Sequence, residues 1–244
     1  RDPKSQCTAD FQTLKYSPRT GREPLREILD LRSDTATQPT AQMRRAMYEA
    51  EVGDDYYHED KTVKALEERS AAIMGKEAAL LVVSGSVGNI ISIVVQTKPG
   101  DAVAVGATSH IYLNEVGNIG AIAGVLPRLV PERAGRIEPD ALEGALQSDD
   151  LVHARATLAA IENTHNASGG FCSDVQTITA MAVKARKLKL RLHCDGARIF
   201  NAAIALNVTP DKLAAPFDSL TFCLTNGLAC PFGSVIVGDS ALIA

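Results

Sequence analysis

From residue 78 onward, short apolar runs rich in β-branched residues alternate with stretches of helical period, and that alternation leaves few folds open. The runs are 78–83, 102–105, 124–130, 157–161, 191–194, 219–224 and 234–237. Between them the spacing predicts helices over 86–96, 138–146, 174–189 and 198–206. A strand followed by a crossover helix returns parallel to itself. The expected fold is therefore α/β, a mostly parallel sheet with helices on both faces in three α/β/α layers. Upstream, 40–51 and 61–74 read as amphipathic helices joined by the acidic loop Gly53-Asp-Asp-Tyr-Tyr-His-Glu-Asp60.

At 244 residues and 45% hydrophobic content the chain can bury a full core, and one large domain over 28–244 is expected after a tail, 1–27. That tail carries Arg1, Lys4, Lys15, Arg19, Arg22 and Arg26, as a transit peptide or a solvated segment would. A net charge of −4 with dispersed Lys and Arg gives no basic face, so nucleic acid and anionic membrane are not expected partners. The apolar stretch at 90–95 falls far short of the roughly 20 residues of a membrane span. Five cysteines, an odd number without a CxxC pair, point away from a disulfide scaffold and toward a reducing compartment, cytosol or mitochondrial matrix. What remains is a small-molecule ligand.

In a parallel sheet, ligands collect beyond the carboxyl ends of the strands, so polar residues just after each strand are the candidates. After the first strand, Ser84-Gly-Ser-Val-Gly-Asn89 opens a helix, which is either an anion site built from free N–H groups or a tight turn with a Ser cap. It lacks the lysine of a P-loop and the spacing of a dinucleotide turn, which removes a nucleotide-binding dehydrogenase from consideration. His110 and His165 follow two further strands as acid–base groups, ring covers or hydrogen-bonded structural histidines. No HExxH or comparable ligand set is present, so no metal is expected. Asp195 follows the fifth strand with Arg198 three residues on. The carboxylate either caps the next helix or holds a heteroaromatic nitrogen protonated, while the guanidinium suits a substrate carboxylate.

Six separated motifs, in this order, resemble threonine aldolases. They are Leu31-Arg-Ser-Asp-Thr35, Val52-Gly-Asp-Asp55 with Tyr57, Gly75-Lys-Glu-Ala78, Glu162-Asn-Thr-His165, His193-Cys-Asp-Gly-Ala-Arg-Ile-Phe-Asn201 and Cys223-Leu-Thr-Asn-Gly-Leu228. The resemblance implies the large domain of a fold-type-I pyridoxal 5'-phosphate (PLP) protein that splits L-threonine or L-allo-threonine into glycine and acetaldehyde. It implies that Gly85, Ser86 and Thr225 hold the cofactor phosphate side, that His110 stacks on the ring, and that Asp195 pairs with the ring nitrogen. It further implies that Ser33 and Arg198 bind the substrate carboxylate, that His165 lies near the substrate hydroxyl as a base, and that Tyr57 lies near the site, reaching in from a neighbouring subunit. Such relatives are homodimers or homotetramers and continue into a small carboxyl-terminal domain that is missing here. The family's Schiff-base lysine is replaced by Asn226, within Thr225-Asn226-Gly227, and an amide nitrogen is not nucleophilic. A related PLP β-eliminating lyase and a pseudoenzyme that at most binds PLP are the alternatives.

Overall fold

Thr40, Asp60, Ser84 and Asp174 each turn a side-chain oxygen onto the backbone N–H three residues ahead, and a helix starts at each. The computed structural model describes residues 30–148 and 150–244. Contacts divide the chain into two units, Arg1–Ser33 and Asp34–Ala244. Of the first unit, residues 30–33 are described, and there Arg32 closes on Asp30 at 2.9 and 2.6 Å. The tail expected over 1–27 and Cys7 lie outside the described residues.

The second unit begins with a 3-10 turn at Asp34–Ala36, then α1 (Ala41–Glu49), a 3-10 turn at Asp55–Tyr57, α2 (Lys61–Met74) and β1 (Ala78–Val82). It continues through α3 (Gly85–Gln96), β2 (Ala102–Gly106), α4 (His110–Leu113), α5 (Asn118–Ala121), β3 (Leu126–Val130) and the small hairpin β4 (Glu132–Arg133) and β5 (Arg136–Ile137). Then follow α6 (Pro139–Ala145), β6 (Ala156–Glu162), α7 (Val175–Lys187), β7 (Arg191–Asp195), α8 (Ile199–Leu206), α9 (Pro210–Ala214), β8 (Ser219–Cys223), β9 (Ser234–Gly238) and α10 (Ser240–Ile243). Seven strands form one sheet in the order β1-β9-β8-β7-β6-β2-β3. Every pairing in it is parallel except the two made by β9, which runs against both β1 and β8.

Alternation along the central strands produces the three layers. Val103, Val105, Leu158 and Ala160 face one way and pack with Ile90 and Ile93 of α3. Ala104, Ala159 and Ile161 face the other way and pack with Met74 of α2, Leu142 of α6, Ile178 and Met181 of α7 and Leu213 of α9. All five residues of β2 are buried, as expected of a strand covered on both faces. Four of the described cysteines are free: Cys172, Cys194, Cys223 and Cys230. Among the described residues no helix is long and apolar enough to cross a membrane.

The structure trims the ends of several predicted helices, 174–189 among them. Lys189, expected to be helical, has φ 60° and lies past the end of α7, where Leu190 N–H returns to Ala185 O at 2.8 Å. The short α4, α5 and α9 and the β4–β5 hairpin had no periodic signal, because each is too brief to display a period.

One face of β8 is polar yet fully buried, through Ser219 and Thr221. Ser219 Oγ accepts from Gln96 Nε2 at 2.7 Å, and α3 presses on Thr221 at Gly88, where an added Cβ would sit 2.5 Å from Thr221 Cγ2. Helix propensity alone favours Gly88→Ala by about 1 kcal/mol. We expect the opposite sign, a loss of about 1–3 kcal/mol from overpacking, in denaturant unfolding. A stabilised variant would show that the close approach of α3 does not constrain the sheet.

Candidate functional site

The carboxyl ends of β2, β6, β7 and β8 converge, and the loops leaving them carry the chemistry. His110 opens α4, tied down by its own backbone N–H, which donates to Glu162 Oε2 at 2.8 Å. Its Nδ1 lies 3.0 Å from Glu115 Oε1, five residues on. Asp195 ends β7, 3% exposed, its Oδ2 accepting from Asn89 Nδ2 at 3.0 Å and its Oδ1 from Ala197 N at 3.2 Å. One polar atom each from His110, Glu115 and Asp195 lies within 4.8 Å of the others.

This packing sets the charge states. Burial pushes the Asp195 carboxyl up to about 7, with the carboxylates of Glu162 and Glu115 adding to it. Its hydrogen bond to Glu115 raises His110, against the opposing effect of burial. The group therefore holds a buried carboxylate that lacks a full cationic partner beside a half-exposed imidazole. His110, Glu115 and Asp195 are grouped closely enough for a cation, but the space between the two carboxylates is taken by the Asn89 amide, a donor at 2.9 and 3.0 Å.

His165 follows β6 and is 1% exposed. Nδ1 faces Ser168 Oγ at 3.0 Å, and Nε2 lies 3.1 Å from Glu132 Oε1 and 3.7 Å from Glu162 Oε2. The approach to Glu132 is close enough for charge attraction without the alignment of a hydrogen bond. Glu132 is brought in by the hairpin and is fixed by Thr108, whose N–H and hydroxyl donate to its Oε2 at 2.5 and 2.6 Å. Contact with Glu132 raises the His165 pKa, burial opposes, and Glu162 adds to the rise. This differs from the expected base: both ring nitrogens face protein groups and the charged form is favoured. The stabilisation is complete below the ordinary histidine value of about 6.5 and is lost as pH rises through the raised one. Imidazole NMR is expected to place the His165 midpoint above that of an ordinary histidine, and Glu132→Gln to bring it down. A midpoint indifferent to Glu132→Gln would remove the carboxylate from the explanation.

Arg198, expected to be open to a substrate carboxylate, is instead engaged by Asp34 through Nε at 2.6 Å and Nη2 at 2.8 Å. Asn226, 7% exposed, has its carbonyl oxygen bonded by Thr37 Oγ1 at 2.9 Å and its Oδ1 by Thr225 Oγ1 at 3.3 Å. Gly85 and Ser86 form the first turn of α3, ahead of its first backbone bond from Gly88 N–H to Ser84 O, so their N–H groups have no partner within the helix. Gly85 lies so close to β8 that a Cβ would sit 2.7 Å from Cys223 Sγ. Tyr57 is 68% exposed, with its ring edge-to-face against Tyr56. Ser33 is an exposed residue that ends the first unit.

Sequence reasoning assigned no role to Asn89, Glu115, Glu132, Glu162 or Asp34. Glu162 and Asp34 stood inside quoted motifs and Asn89 closed the Ser84 turn, so position relative to strand ends was an available signal. Glu132 lies two residues past the end of β3, so the same signal was available there and was not used.

Over residues 30–244 the sequence matches the family described as beta-eliminating lyase. It is 44% identical over 219 residues to a probable low-specificity L-threonine aldolase 2 of Arabidopsis thaliana, covering 88% of this chain and 62% of that protein. It is 37% identical over 213 residues to the low specificity L-threonine aldolase of Escherichia coli (strain K12), covering 87% of this chain and 63% of that protein. The fold is similar to that of a Leishmania major threonine aldolase, with a TM-score of 0.73 at 20% identity over 87% of this chain and 63% of the other.

Proposed function

The chain belongs to the beta-eliminating lyase family, whose members depend on PLP, and we propose that it forms the cofactor pocket of an aldolase acting on L-threonine or L-allo-threonine. The names of its relatives support that substrate class, and glycine and acetaldehyde are the products it entails. The observation that carries the reading is Asp195, a carboxylate buried at the sheet's edge with its pKa pushed to about 7. A protonated ring nitrogen is the partner such a group lacks.

When bound, PLP supplies an electron sink for the pair released as the Cα–Cβ bond breaks. Asp195 keeps the ring nitrogen charged, held in place by Asn89 and the Ala197 N–H. The N–H groups of Gly85 and Ser86, at the positive end of the α3 dipole, suit the phosphate, with the Thr225 hydroxyl as a neighbour. His110, braced by Glu115 and Glu162, covers the ring. Arg198 reaches a substrate carboxylate with Nη1, or by exchanging Asp34 for it. His165 steadies Glu162, which in turn holds His110. Tyr57 joins from a second copy of the chain in a homodimer or homotetramer.

Asn226 does not fit a covalent link, so the pocket as it stands holds PLP reversibly and turns over slowly, and a non-catalytic PLP-binding role is the second reading. The test is titration with PLP, followed by ring absorption, with glycine release from L-threonine measured alongside. A chain that takes up no PLP, with Asn226 or with Lys in its place, removes the proposal.

A further inference from the structure

Behind Asp195 a line of buried polar groups runs along α3 and meets the pocket only through Asn89. Asn89 is 1% exposed, His193 and Ser219 are 0% and Gln96 is 8%. The Asn89 atom at 2.9 Å from Glu115 Oε1 and 3.0 Å from Asp195 Oδ2 is its NH2, donating to both. Its Oδ1 then faces His193 Nε2 at 3.1 Å, which requires the proton on Nε2. A neutral imidazole with that proton accepts at Nδ1, here from the Ser219 hydroxyl at 2.8 Å. The Ser219 lone pair accepts in turn from Gln96 Nε2 at 2.7 Å, and Gln96 Nε2 also donates to Ser92 O at 2.7 Å. Every donor direction is therefore determined along the whole line.

We propose that Asn89 is the positioning residue for the pocket's two carboxylates, its amide held in one orientation by a single neutral tautomer of His193. One neutral NH2 between Glu115 and Asp195 offsets their mutual repulsion without adding charge, and leaves Asp195 aimed at its ligand. Burial, which lowers His193 to about 3, keeps the imidazole neutral. Only an amide of this length supplies both the double donor and the acceptor. Ser lacks the second donor, Asp lacks both donors, and Gln is one methylene too long.

The effect on ligand binding rests on the PLP reading; the tautomer does not, and the two are tested separately. Imidazole ¹⁵N NMR of the ligand-free chain is expected to show His193 protonated on Nε2 alone, unchanged from pH 8 to pH 5. A proton on Nδ1, or an imidazolium in that range, overturns the proposal whether or not PLP binds. Asn89→Asp keeps the shape and sets a third carboxylate oxygen against the other two. PLP affinity is expected to fall at least tenfold at pH 8, with the loss shrinking as pH is lowered. Equal affinity and an equal pH profile in a folded variant also overturn it. Should Asn89→Asp fail to fold, Ser219→Ala removes the hydroxyl that supports this tautomer from the Nδ1 side. A second His193 tautomer is then expected, with PLP binding weakened severalfold, and an unmoved spectrum counts against the proposal.

Discussion

Asn226→Lys is expected to convert a reversibly held cofactor into one that borohydride fixes permanently to the chain, and to raise glycine release from L-threonine by several orders of magnitude. The lone pair of an amide nitrogen is delocalised into its carbonyl; that of an amine attacks an aldehyde. The position favours that chemistry, because it is 7% exposed and desolvation lowers the pKa of a lysine, which leaves more of the neutral nucleophile. The turn is already anchored through the bond from Thr37 to the Asn226 carbonyl. Losing a catalytic nucleophile slows enzymes that use one by on the order of 10³ to 10⁶, and recovery on that scale is the expected outcome. Other described lysines lie elsewhere. Lys76 precedes β1 at the opposite edge of the sheet, its amine donating to Phe217 O, Lys189 precedes β7, and Lys212 lies on α9. Peptide mass mapping after reduction decides the matter: a fixed cofactor on the unaltered chain would show that another lysine does the work.

Asp195→Asn is expected to shift binding and stability in opposite directions. Hydrogen bonds to charged groups contribute about 1.5–3 kcal/mol, so PLP affinity should fall roughly 10- to 150-fold. Stability of the ligand-free chain follows from proton linkage. An unfolded Asp ionises near 3.9, whereas Asp195 in the fold does so at about 7, so the native state retains a proton over that interval. Stability is therefore lost as pH rises from about 4 to about 7, and the neutral amide removes that slope. The variant should gain on the parent with rising pH and keep the gain above pH 7. His110 and His165 are raised in part by Asp195 and lose their stabilisation in the same direction, so their midpoints are followed by imidazole NMR in both proteins and their contribution is subtracted. Parallel stability curves for the two proteins would mean that Asp195 is not the strained carboxylate, and the function assigned to it would fall as well. That a group costs stability until its ligand arrives is the usual trade at a binding site.

Much of this site was legible before any coordinates, because strand ends in a parallel sheet are where ligands bind and the motifs sit at those ends. His110 and Asp195 were placed together from that rule and from family resemblance, and the structure brings their polar atoms within 4.8 Å. Arg198 was read as open to a substrate carboxylate and not as a guanidinium already held, since Asp34 is 164 residues away in sequence. His165 was read as a base because its two carboxylates arrive from different places, one of them from a two-residue strand with no pattern of its own.

By itself the sequence determined the layers of the fold, the helix starts and the absence of a nucleophilic amine at position 226. These depend on period, capping side chains and residue identity, all of which act within a few residues. Only the tertiary structure decided the electrostatic surroundings: burial raises Asp195 and lowers His193, and contact with Glu132 raises His165. A proton's free energy depends on the water removed and the charges assembled around it, and in a parallel sheet those neighbours come from strands far apart in the chain.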